Sequence, residues 1–154
     1  MSKQIYYEDV EVGNEIVSPK IATTKMLVQW ACAASDFNPL HYEEDYAKNM
    51  GVGHPIVHGA LKRAWLVNMM TDWIGEMGRL KKLSCRYRGM DYPRKMKTFN
   101  DPHDGEIWWC KGKVTKKFTE GDEHLVECEI WVENGKGVQT TLGNATAVLP
   151  SKGK

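Results

Sequence analysis

From Ala60 to about Ile74 the chain places Ala60, Leu61, Ala64, Trp65, Leu66, Val67, Met69, Met70, Trp73 and Ile74 so that a helix there is apolar on nearly every side. Such a helix has no face to offer water, and other elements must cover most of its circumference. Gly59 opens it, and Gly75 and Gly78 supply its stop, which gives one long helix over about 59–75. The residues after it change period. Val126, Cys128, Ile130 and Val132 alternate with Glu127, Glu129 and Trp131, the pattern of a strand with one buried face. Asn134-Gly135 is the strongest short hairpin signal in the chain and joins that run to a strand over 138–149. Further strands are expected over 80–88 and 106–118, with Glu120-Gly121-Asp122 turning the latter into the next. The class is α+β, with the main strands spread over about 80–149.

The first third of the chain is read as irregular lead-in and short helices. Tyr7 to Glu15 forms no expected helix, and Pro19 limits how far a following strand extends. Thr23 and Thr24 can cap a helix over Lys25 to Ser35, with Met26, Leu27, Trp30, Ala31 and Ala34 on its apolar face. It stops at Asp36-Phe37-Asn38-Pro39, because the residue before a proline is pushed out of the α region. A second short helix is expected from Glu43 to Met50, ended by Gly51 and Gly53, after which Pro55 begins an extended approach to His58-Gly59. One buried helix followed by an antiparallel meander that wraps it is the hot-dog architecture.

The 154 residues suit a single domain over 1–154. Apolar residues at 42% and charged residues at 27% describe a globular chain, and a net charge of +1 gives no reason to expect nucleic acid as a partner. No apolar stretch nears the roughly 20 residues that cross a bilayer, so no membrane segment is expected. The start at Met1 lacks the apolar run of a secretory signal, and the cytoplasm is the expected location. Cys32, Cys85, Cys110 and Cys128 form no C-x-x-C and are read as reduced core thiols.

Asp36 and His41 bracket a sharp turn, and a carboxylate beside an imidazole can serve as base and acid in either order. The pairing alone is common, and Asp36 could simply end a helix. Gly59 begins the long helix, so its amide has no partner inside the helix and stands at the positive end of the dipole, where it can hold an oxyanion. His54 and His58 are four apart, but Pro55 between them breaks the helix a metal pair would need and no third ligand is evident, so no metal is expected. His58 is read as supporting the loop that enters the helix, and His103 and His124 as solvated in polar turns. Trp65, Met69, Met70 and Trp73 are read as core. Arg86, Arg88, Arg94, Lys95 and Lys97 form a basic cluster, either a solvated face or a contact for phosphates.

The run Asp36-Phe37-Asn38-Pro39-Leu40-His41, continued through Tyr46-Ala47 to Pro55-Ile56-Val57-His58-Gly59, resembles the hydratase motif of the MaoC-like family, which includes R-specific enoyl-CoA hydratases. Glu8-Asp9-Val10-Glu11-Val12-Gly13 looks like that family's usual beginning, and the likeness is strongest from Tyr7 to Gly59. The resemblance implies reversible, syn hydration of a trans-2-enoyl thioester to the (R)-3-hydroxyacyl thioester. Asp36 and His41 would be the catalytic dyad and Gly59 the amide that binds the substrate carbonyl. Apart from the resemblance, Asn38, His58 and Trp65 are read as candidates for pocket or loop support, and Trp65, if not wholly core, as a border of an acyl tunnel. No metal or organic cofactor is implied; coenzyme A enters as part of the substrate, with an acyl carrier protein as the alternative carrier. Some R-specific members carry a serine nine residues after the histidine matching His58, where this chain has Val67, and the segment from Asp91 to Asp104 is longer and more basic than usual. Pairing as a homodimer or higher oligomer is expected because one such sheet leaves an edge exposed, with a heteromer as the alternative. Two other functions fit the same fold: an acyl-CoA thioesterase, and a subunit of a heteromeric dehydratase.

Overall fold

A computed structural model describes residues 4–101 and 105–153. Strand β1, Glu15–Lys20, is followed by helices α1, Thr24–Ala34, α2, Glu44–Asn49, and α3, Gly59–Ile74. Strands β2, Arg79–Tyr87, β3, Trp108–Glu120, β4, Glu123–Glu133, and β5, Gln139–Leu149, complete one five-stranded sheet in the order β1-β3-β4-β5-β2, antiparallel throughout.

The period-2 pattern of β4 orders the sheet's inner face. Val126, Cys128, Ile130 and Val132 are all buried, and they meet Trp108, Cys110 and Val114 of β3 and Ala145, Ala147 and Leu149 of β5. Against this face α3 lays Leu61, Trp65, Leu66, Met69, Met70 and Ile74, and it touches all five strands. The helix is not covered all round. Arg63, Asn68, Thr71 and Asp72 are exposed, and Ala60, Ala64 and Val67 between them are half-buried. Small apolar residues on the open stripe made the sequence look uniformly apolar, whereas a sheet packed on one side of a cylinder leaves the other side to water. No helix among the described residues is long and apolar enough to cross a membrane.

Local departures from the sequence reading have local causes. Tyr7–Asp9 forms a single 3-10 turn in the lead-in. Strand β1 runs through Pro19, which pairs with Trp109; β1 is a sheet edge, where a missing N–H removes no bond to a further strand. Ala34 is exposed, as is Cys32, so only Cys110 and Cys128 are fully buried thiols. Burial pushes both of those thiols up to about 12, which leaves them protonated and unreactive at neutral pH. His124 lies in β4 with its ring stacked on Tyr7 at 4.8 Å, not in a solvated turn, and His103 lies outside the described residues.

The β4–β5 connection is a hairpin of longer loop than a two-residue Asn-Gly turn. Asn134 Oδ1 accepts the amides of Lys136 and Val138, each at 3.0 Å, and Gly137, not Gly135, takes the left-handed conformation at φ 77°. Asn134→Ala is expected to cost about 1–2 kcal/mol through those two lost bonds, read as a lower midpoint in urea unfolding.

Candidate active site

Two helix ends and one turn assemble the site. Thr23 starts α1 by accepting the Met26 amide at 3.3 Å. At its other end Ser35 adopts the left-handed conformation (φ 54°, ψ 31°), and the amides of Ser35 and Asp36 both return to the Ala31 carbonyl, the latter at 3.1 Å. The helix therefore stops on the residue before Asp36. Asn38 then caps a 3-10 turn over Pro39–His41: its side chain accepts the Leu40 amide at 3.0 Å and its carbonyl accepts the His41 amide at 3.1 Å. The exposed Asn38 thus acts as the clasp of the turn.

The turn is fastened to the extended approach to α3. The Ile56 amide donates to the Leu40 carbonyl at 3.3 Å, and the Ile56 carbonyl accepts from His41 Nδ1 at 2.8 Å. Since a carbonyl only accepts, Nδ1 carries the proton, and Nε2 is the nitrogen of the neutral ring left to exchange one. His58 is completely buried beneath it, the two rings stacked with centroids 3.6 Å apart at 20°. His58 Nε2 lies 3.4 Å from the Asp36 carbonyl, and its Nδ1 is buried without a hydrogen-bond partner among the described residues. A side-chain oxygen of Asp36 and one ring nitrogen each of His41 and His58 lie within 4.8 Å of one another. The two imidazole planes are stacked 20° from parallel, so their in-plane lone pairs do not readily meet at one point between the rings. His54 lies apart from this trio, exposed and 3.6 Å from Glu44.

Burial, and then the neighbouring His41, holds the His58 imidazole below its ordinary value of 6.5. The folded protein keeps this ring neutral while the unfolded chain takes up a proton as pH falls past about 6.5, so stability present above that pH is lost as pH falls through the lower folded value. The urea midpoint is expected to drop between pH 7.5 and 5, and His58→Gln to flatten that dependence. An unchanged slope in the variant would exclude His58 as its source.

Gly59 stands at the first turn of α3. The helical ladder begins with the Lys62 amide donating to the His58 carbonyl at 3.2 Å, and the amide of Gly59 precedes it at the positive end of the helix. A Cβ at Gly59 would lie 2.9 Å from the Tyr87 ring, so only glycine fits without a shift. His41, Gly59, Lys62, Tyr87 and Arg88 line one cavity of about 380 Å³, the candidate substrate site.

Trp65 does not border this cavity; it is 5% exposed and packs at 6.0 Å from Trp108 in the core. Of the basic cluster, Arg88 lines the cavity, and Arg86 and Arg88 both line a second hollow of about 610 Å³ across β4, β5 and β2. No local pattern singles out Lys62, a lysine 2% exposed inside the apolar helix, or Asp91, its partner at 2.7 Å. The one signal is a lysine amid buried helical positions, since a buried charge calls for a counter-charge.

A five-stranded antiparallel sheet packed on one long helix, with polar groups gathered at the N-terminal end of that helix, defines a hot-dog domain. The family model described as "MaoC like domain" matches residues 10–121, and the chain belongs to the MaoC-like family. Among solved structures it is similar to R-hydratase PhaJ1 from Pseudomonas aeruginosa, with TM-score 0.81 and 21% identity over 97% of this chain and 88% of that one. It is also similar to the (R)-hydratase from A. caviae involved in PHA biosynthesis, with TM-score 0.78 and 20% identity over 93% of this chain and 99% of that one. The ChsH1-ChsH2 complex from Mycobacterium tuberculosis matches with TM-score 0.74 and 18% identity over 91% of this chain and 98% of the other. No curated protein matches the chain.

Proposed function

We propose that the protein reversibly hydrates a trans-2-enoyl thioester, carried on coenzyme A, to the (R)-3-hydroxyacyl thioester. The observation that carries this reading is the convergence of Asp36 and His41 next to the cavity that His41 and Gly59 line together. Addition of water to a conjugated double bond needs a base for the water, a proton for C2 and a donor for the oxygen that becomes an enolate. His41 Nε2 and the Asp36 carboxylate hold one water between them and take its proton as its oxygen bonds to C3. The π pair of the C2–C3 double bond shifts between C1 and C2, and the carbonyl π pair moves onto the oxygen, which the Gly59 amide stabilises. The proton then goes from the dyad to C2, and dehydration runs the same steps backward. Membership of the MaoC-like family and likeness in fold to two R-hydratases support this assignment. The open Arg88 side of the cavity suits the phosphate-bearing carrier, and a cofactor has no part in the scheme.

The test is hydration of crotonyl-CoA and longer enoyl-CoA thioesters, followed by loss of the conjugated absorbance, with free thiol assayed in parallel. Thiol release without hydration would replace this reading by thioester hydrolysis. Gly59→Ala is expected to lower kcat by about 10²-fold, since a methyl group against the Tyr87 ring displaces the amide from the carbonyl. Wild-type kcat in that variant would remove Gly59 from the scheme. Strands β1 and β2 end the sheet, and we infer self-pairing at such an edge, with a heteromer, as in the solved ChsH1-ChsH2 complex, as the alternative; native mass spectrometry showing a lone chain would overturn it.

A further inference from the structure

Lys62 is one turn after Gly59, and its ammonium group is held by Asp91 Oδ2 at 2.7 Å and by the Gly89 carbonyl at 2.9 Å. Asp91, 3% exposed, accepts the Thr140 hydroxyl on that same oxygen at 2.6 Å. Thr140 in turn receives the Arg88 and Gly89 amides on its carbonyl at 2.8 and 3.0 Å. The segment from Arg88 to Asp91 is thereby pinned to β5 on one side and to α3 on the other. From this anchored position the Asp91 carbonyl reaches the Val57 amide at 2.8 Å. Val57 lies between Ile56, whose carbonyl holds His41 Nδ1, and His58, the residue before Gly59.

We propose that Lys62, Asp91 and Thr140 form a positioning clip which, through the Val57 amide, sets the separation between the His41 ring and the Gly59 amide. The three residues touch no reacting atom in this scheme. Their function is to hold the two ends of the substrate's reacting unit at one spacing, and the idea rests on the hydratase reading above. Stability alone gives the pair no advantage, because a buried ion pair contributes about as much as well-packed apolar residues of the same volume. Directional bonds at the Lys62, Asp91 and Thr140 side chains and the Val57 amide fix a backbone position, which apolar packing at 62 would leave free to slide.

Three proteins decide the matter: wild type, Lys62→Met/Asp91→Asn, which removes both charges and keeps both shapes, and Thr140→Val, a milder change that loosens Asp91 without altering charge. Misplacing a reacting group by a fraction of an ångström to one ångström costs about 10- to 100-fold, so kcat on crotonyl-CoA is expected to fall about tenfold or more in the double variant and about threefold in Thr140→Val, with KM nearly unchanged in Thr140→Val, whose residue lies outside the cavity lining. Amide hydrogen exchange at Val57 and Gly59 is expected to quicken in both variants, while exchange in β3 and β4 stays at the wild-type rate. Wild-type kcat and wild-type exchange at Val57 in Thr140→Val would overturn the clip whether or not the double variant folds. Should wild type hydrate no enoyl thioester, the hydratase reading fails by itself, and the exchange rates at Val57 and Gly59 still decide whether the clip positions this segment.

Discussion

Asp36→Asn is expected to lower the rate of crotonyl-CoA hydration by about 10³-fold, the size of effect that a positioned general acid or base contributes. The change leaves the fold alone. The Asp36 amide still returns to the Ala31 carbonyl and the Asp36 carbonyl still faces His58, because both are backbone groups. Circular dichroism and the thermal midpoint should therefore match wild type while turnover collapses. His41→Ala is expected to act on a similar scale, and the two changes together should cost little more than either one, since groups that handle the same proton fail as a unit. Full activity in either single variant would remove the dyad from the mechanism.

The largest effect on stability is expected at Asp91, not at the dyad. Asp91→Ala strands the Lys62 ammonium in the interior and leaves the Thr140 hydroxyl without its acceptor, a loss of about 3–5 kcal/mol by denaturant unfolding. The exposed pair Lys48–Glu44, separated by a similar 2.9 Å one turn apart on α2, provides the control. Water solvates each of its partners when the other is removed, and Lys48→Ala should leave the unfolding midpoint within error of wild type. Equal destabilisation at both sites would mean that burial of the Lys62 pair is not what makes it matter.

The elements that a local period or a local capping residue specifies were legible in the chain. The alternation of β4 and the glycine stops around α3 gave those elements to within a residue or so, and Asn38-Pro39 and His58-Gly59 gave the turn and the helix start on which the site is built. What escaped was set by long-range contact. Lys62 and Asp91 are 29 positions apart, and no spacing rule joins them; only the packing of the segment after β2 against the start of α3 does. Tyr87 over Gly59 is the same kind of fact, a strand end meeting a helix end. Local sequence places His58 only in the loop that enters α3, and its buried stack on His41 exists because the fold brings the turn and the helix start together. The open stripe of α3 was hidden by composition, because Ala60, Ala64 and Val67 count as apolar whether or not anything covers them.

Ser35 carries a consequence for which replacements the dyad's neighbourhood tolerates. Its left-handed backbone costs a residue with a Cβ about 1–2 kcal/mol, and it is the described non-glycine residue with positive φ. A saturation library at position 35, screened for hydration, should retain glycine, asparagine and aspartate and lose valine, isoleucine and threonine, although the side chain itself is exposed. Selection there would act on backbone angle alone, and Ser35→Gly should give a more stable protein, in which any hydration activity tells how much the serine's stiffness helps to aim Asp36.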